Sequence, residues 1–177
     1  MRVLRLFGGE RGLGRLGLKA TVFLITERHH EHQAGYLTPD DIRSLGEGGL
    51  FEFGSHTRRH RLLTSFDPGE RRAEVEGSKL YIEDLTGREC AVFCYPFGDL
   101  DERVVESVRG AGYRGAFCSS QGVLHTSGTR WTLARVPGLM QPLEGFAEKL
   151  RGWRERTLFV FLSRALASQV RGAGIAA

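Results

Sequence analysis

Five short apolar runs, each set off from the next by a segment carrying helix start and stop signals, constrain this chain more than any other feature. Residues 19–25 alternate β-branched and aromatic side chains and read as a strand buried on both faces. Residues 50–53, 91–95, 115–119 and the shorter 133–136 read as strands too, the second stopping at Gly54. The punctuation between them is strong. Thr38-Pro-Asp-Asp offers a capping hydroxyl, a first-turn proline and acids at the positive helix end. That helix turns Ile42 and Leu45 inward and stops at residues 46–49. Asp67-Pro-Gly-Glu opens a long amphipathic helix through Val75, Leu80, Tyr81, Ile82 and Leu85, closed by Gly87. Asp99 or Asp101 caps a third helix bearing Val104, Val105 and Val108. Residues 27–36, with His29, His30 and His32, are expected to be polar surface loop, and residues 1–14 a poor helix. Helices are also expected from Pro142 through Leu150 and over 157–170. Strands alternating with helices specify an α/β fold with a parallel sheet and right-handed crossovers, whose chemistry sits at the carboxyl ends of the strands.

At 177 residues the chain is one domain, with a core over 16–152 and a C-terminal helix and tail over 153–177. Its charge of +4 and pI near 9.2 come largely from arginine. The arginines are scattered and set beside acids (Glu70-Arg71-Arg72, Glu102-Arg103), and no aromatic-interleaved basic stripe appears, so nucleic acid is not the expected partner. Cys90, Cys94 and Cys118 are an odd number and are expected to be buried free thiols. No stretch approaches the ~20 apolar residues of a membrane span, and the N-terminus lacks the apolar core of a signal peptide. As written, the chain is expected in the cytoplasm.

The densest chemistry follows the second apolar run, in Ser-His-Thr-x-x-His with His56 and His60. Two imidazoles four residues apart share a face if the backbone turns helically, and both then reach one metal ion. Neutral imidazole suits zinc and other first-row divalent ions. The alternative is a pair of solvated histidines in a basic loop, since Arg58, Arg59 and Arg61 crowd the same stretch.

Ser-His-Thr-x-x-His followed by Leu-Leu-Thr resembles the second motif of the polysaccharide deacetylase family, the carbohydrate esterases of family 4 with NodB homology. Residues 17–25 look like the family's second barrel strand. Cys94-Tyr-Pro-Phe-Gly98 is similar to its third motif, closest to the poly-N-acetylglucosamine branch. The resemblance implies a distorted (β/α) barrel, TIM-barrel-like, and a divalent metal, zinc being expected, held by His56 and His60. It implies an N-acetylated polysaccharide or oligosaccharide as partner, and hydrolysis of its N-acetyl groups. The metal polarises the amide carbonyl while a carboxylate base takes the proton of the attacking water. By the same resemblance the backbone N–H of Phe97 helps hold the oxyanion, and Tyr95, Pro96 and Arg135 meet substrate. Family members are often exported or bound to the cell envelope.

One part of the pattern is missing. In the family an Asp-Asp pair at the end of the first strand supplies both base and third metal ligand; no such pair precedes Ala20, and the barrel's first strand is missing with it. Glu10 is the only acid in that region, Asp40 and Asp41 are better explained as helix capping, and His125 is expected to lie in a loop rather than serve as general acid. The leading expectation is therefore a deacetylase impaired in this chain. The alternatives are a non-catalytic carbohydrate- or metal-binding pseudoenzyme, or a truncated fragment of an active deacetylase.

Overall fold

The computed structural model describes residues 19–30, 36–119 and 127–135. The readings for residues 1–14 with Glu10, for His32, His125 and Val136, and for the helices from Pro142 onward lie outside the described residues.

Four strands, β1 (Ala20–Leu24), β2 (Phe51–Ser55), β3 (Val92–Cys94) and β4 (Gly115–Phe117), form one parallel sheet in the order β1-β2-β3-β4. Leu133 adds a parallel bridge to Phe117 beyond β4, all that is described of the strand expected over 133–136. Each connection moves one strand along in the same direction. With right-handed crossovers this puts every helix on one face and leaves the other as an inner wall, which is the arc of a barrel rather than a doubly wound sheet. This is the α/β architecture that the strand–helix alternation specified.

The outer face carries the core. Leu24, Phe51, Phe53, Phe93 and Ala116 pack against Ile42 and Leu45 of α2 (Pro39–Glu47), Val75 and Ile82 of α3 (Pro68–Thr86), and Val104 and Val108 of α4 (Glu102–Gly110). The helices begin where their caps dictate. Thr38 and Asp41 form a capping box, Asp67 and Glu70 another, and Asp101 accepts from Val104 N at 2.9 Å. Asp40 and Asp41 are thus accounted for at the helix start, where Asp40 also pairs with Arg43.

On the inner face, ladder register brings Thr21, Phe23, Gly54, Val92, Cys94 and Phe117 together. Thr21 is exposed and Phe23 only half-buried, so β1 is not covered on both faces as expected. Phe23 lies across β2, and a Cβ on Gly54 would come within 2.7 Å of its ring. Gly54 therefore admits the neighbouring ring instead of ending the strand, which continues to Ser55.

Two other expectations change. Thr26–His30 forms a short helix, α1, where loop was expected. Its first N–H groups, on Thr26 and Glu27, donate to the carbonyls of Thr57 and Arg58, so a tertiary contact supplies the start that local sequence lacks. On α3, Leu80 is exposed because the buried stripe runs through Arg71, Glu74, Val75, Ser78 and Ile82. At about 100° per residue Leu80 sits some 140° from Val75. No helix among the described residues is long and apolar enough to cross a membrane.

Candidate metal centre and cleft

β2 delivers His56 just beyond its carboxyl end, with His56 N still donating to Leu24 O at 2.8 Å as the ladder would. The ring turns to the inner side, where Nδ1 lies 2.6 Å from the carbonyl oxygen of Cys94 at the end of β3. A carbonyl only accepts, so Nδ1 carries the proton and Nε2 presents a lone pair. His60 Nε2 lies 3.1 Å from His56 Nε2.

The two rings do not meet through a helical turn. The backbone between them passes through left-handed conformations at Thr57 (φ 67°) and His60 (φ 57°), which fold the four-residue segment back on itself. His60 N donates to Thr57 Oγ1 at 2.9 Å, and Thr57 N to Ser55 Oγ at 3.2 Å. The i,i+4 spacing does bring both nitrogens to one point, by a tight loop rather than a helix face.

This geometry fits a metal. Two nitrogens bound tetrahedrally at about 2.0–2.1 Å lie about 3.3 Å apart, and the anchored Nδ1–H of His56 is the outer contact that orients ligating histidines. Burial pushes the His56 pKa down to about 4, with the neighbouring His60 and the Arg135 cation working in the same direction. Burial lowers that of His60 as well, helped by Arg28. Both rings are therefore neutral near pH 7, the form that ligates. Among the described residues no group of three or more His, Cys, Asp or Glu side chains converges on a point, so the pair offers two ligands.

The second wall of the cleft follows β3. Pro96–Gly98 is a 3-10 turn in which Phe97 is left-handed at φ 58°. Its ring meets the edge of His60 with centroids 4.6 Å apart and is 66% exposed. Tyr95, by contrast, is 1% exposed and packs against Phe93 in the core, and Pro96 is buried. Of this motif the Phe97 ring and the Cys94 carbonyl meet the histidine pair. Arg135, from the strand position beyond β4, is exposed and donates from Nε to Cys118 O at 3.1 Å. Its charge is felt at His56 and Cys94, so it stands beside the pair. The three cysteines are buried thiols in no disulfide among the described residues.

One carboxylate, Glu74, escaped the sequence reading, and another, Asp99, has a role other than the cap expected of it. Glu74, fully buried on α3, accepts from the N–H groups of Arg58 and Arg59, each at 3.0 Å, and from Arg59 Nε. Asp99 accepts from Thr64 N and Oγ1, each at 2.9 Å, tying the third motif to the end of the second. Asp101 caps α4, and Asp99 does not. Nothing in the spacing of Glu74 distinguishes it from the acids on the solvent face of the same helix.

The sequence profile of the polysaccharide deacetylase family matches residues 11–116. Among solved structures the chain is similar to a polysaccharide deacetylase from Bacillus cereus, with 26% identity and a TM-score of 0.60 over 67% of this chain and 37% of that one. It shares its fold with IcaB from Ammonifex degensii, at 17% identity and a TM-score of 0.64 over 80% and 64% of the two chains. It also shares it with a carbohydrate esterase family 4 pseudoenzyme from Bacillus anthracis, at 21% identity and 0.51 over 59% and 34%. The chain thus spans well under half the length of the Bacillus cereus structure. No protein of curated function matches it.

Proposed function

The chain belongs to the polysaccharide deacetylase family, and from that premise we propose that His56 and His60 hold a divalent metal against an N-acetylated amino-sugar polysaccharide. The observation that carries the proposal is the 3.1 Å approach of two Nε2 atoms with the His56 Nδ1–H anchored on Cys94 O. An all-imidazole pair suits zinc among the common divalent ions. When bound, the metal supplies a Lewis acid for the acetamide carbonyl.

The chain's own residues supply orientation. Nδ1–H of His56 fixes its tautomer and aims its lone pair. The backbone N–H of Phe97 donates to the oxygen that gains charge as water adds to the carbonyl. The exposed ring of Phe97, edge-on to His60, offers an apolar surface to the C–H face of a pyranose. The Arg135 guanidinium offers donors to sugar hydroxyls. A carboxylate base and a third ligand have to join this pair before hydrolysis proceeds at a family-like rate.

Zinc titration tests the reading. The unsubstituted chain is expected to bind Zn2+, and His56→Ala and His60→Ala each to weaken it; identical isotherms for all three proteins remove the centre. Acetate release from N-acetylglucosamine oligomers is expected to be slight. Fast release abolished by His60→Ala shows that another residue acts as base. The two-ligand centre also favours a second reading, a module that binds the sugar without cutting it, which predicts oligomer binding with no acetate formed.

A further inference from the structure

The two strained residues of the histidine loop raise the question of what holds them. A β-branched threonine at positive φ is an outlier that persists only where its surroundings over-determine it. Here the surroundings are one face of α3. Glu74, Gly77 and Ser78 stand at i, i+3 and i+4, so they form a continuous patch beneath residues 55–60. Glu74 Oε2 receives both Arg58 N–H and Arg59 N–H, and Oε1 receives Arg59 Nε. Gly77 has no Cβ, and one would lie 3.1 Å from Arg58 Cδ, so the aliphatic stem of Arg58 can rest on the helix. Ser78 Oγ meets Ser55 Oγ at 2.7 Å, and Ser55 Oγ in turn receives the Thr57 N–H.

We infer that Glu74 is the positioning residue of the centre: it never meets the metal, and it sets the distance between the two histidine nitrogens that do. The inference rests on the metal reading above and deepens it. The two N–H groups it binds belong to residues lying between the two histidines, so the carboxylate fixes the segment whose curvature brings Nε2 to Nε2. Both oxygens are used. A neutral amide of the same shape holds the loop less tightly: its one acceptor oxygen takes the two N–H groups without the charge that strengthens those bonds, and its NH2 then faces the Arg59 Nε–H, itself a donor. Weakening these charge-assisted bonds favours a relaxed loop with extended backbone at Thr57, and a relaxed loop parts the nitrogens.

The test separates holding the loop from holding the fold. Zn2+ is titrated into the unsubstituted chain, Glu74→Gln and Ile82→Val. Folding of each is checked by far-UV circular dichroism, and Tm is measured without metal. Ile82→Val removes one methylene from the same helix's core stripe and serves as the destabilised control. Glu74→Gln is expected to weaken zinc binding by about tenfold or more at temperatures where it is folded, the scale of lost outer-shell contacts. Ile82→Val is expected to lower Tm and leave the affinity unchanged. Should Glu74→Gln not fold, Glu74→Asp, which keeps the charge but is one methylene too short to reach the two N–H groups, carries the same expectation. A folded Glu74 variant with undiminished affinity overturns the inference and leaves the metal reading standing. So does an equal loss in Ile82→Val. No zinc binding by the unsubstituted chain removes both.

Discussion

The loop after β2 and the turn after β3 face each other across the cleft, and both hold non-glycine residues at positive φ, yet they are secured by different means. The histidine loop, with Thr57 and His60 left-handed, is held by side chains from another element: Glu74 and Ser78 of α3 beneath it, and Asp99 beyond it. The turn with Phe97 left-handed is held mainly by steric fit, with one bond from outside, Ser119 Oγ donating to Phe97 O at 3.3 Å. Pro96 fixes one φ, Gly98 occupies φ 72°, and a Cβ there would sit 2.0 Å from Ser119 Oγ. A remote polar clamp and a local steric lock each sustain strain of about 1–3 kcal/mol per residue. A clamp fails when a distant atom is removed; a lock fails when an atom is added in place.

The largest expected effect breaks the lock. Gly98→Ala adds a methyl group against Ser119 and forces an L side chain into a left-handed position, and is expected to cost about 2–4 kcal/mol. Urea unfolding measures it, and Ser119→Ala in the same chain should recover part of the loss by removing the oxygen. A Gly98→Ala protein as stable as the parent would show that the turn is not sterically set.

This difference decides what was legible in the sequence. Cys94-Tyr-Pro-Phe-Gly98 reads as a turn at a strand end because proline and glycine act where they stand. The helix starts at Thr38 and Asp67 were legible for the same reason, whereas the spacing of His56 and His60 pointed to their meeting by a helical turn that does not form. The clamp was not legible. Glu74 lies fourteen positions past His60 in a helix whose buried stripe is itself partly polar, with Arg71 bonded to Ser107 Oγ and Phe66 O. Apolar periodicity therefore placed Leu80 inside and singled out nothing at Glu74. The short helix at Thr26 was hidden likewise, since its first partners, Thr57 O and Arg58 O, come from the histidine loop.

The clamped side is also expected to be the pH-sensitive side. Unfolded histidine titrates near 6.5, while burial holds His56 at about 4. Above pH ~6.5 both states leave the ring neutral, and its contribution is constant. Between ~6.5 and ~4 only the unfolded chain takes the proton, so stability falls as pH falls, by about 2–3 kcal/mol over the window. His60, lowered in the same way, adds to the loss. Urea unfolding of the metal-free protein at pH 7 and pH 4.5 checks this, with His56→Gln as reference to subtract the carboxylates. An equal drop in parent and variant would show that the histidine does not carry it.

The smallest effect tests whether the turn after β3 has a polar restraint beyond the Ser119 Oγ bond to Phe97 O. Tyr95 is buried, and its hydroxyl has no hydrogen-bond partner among the described residues. Burial raises its pKa, so the group stays a neutral phenol that gave up water and gained nothing in return. Tyr95→Phe keeps the ring edge on Phe93 and removes only the oxygen, and is expected to raise stability by about 1 kcal/mol, read as a higher Tm. A lower Tm would mean that the hydroxyl has a partner after all, such as an ordered water. The lock would then carry a second polar restraint at its entrance, and the two walls of the cleft would differ in degree rather than in principle.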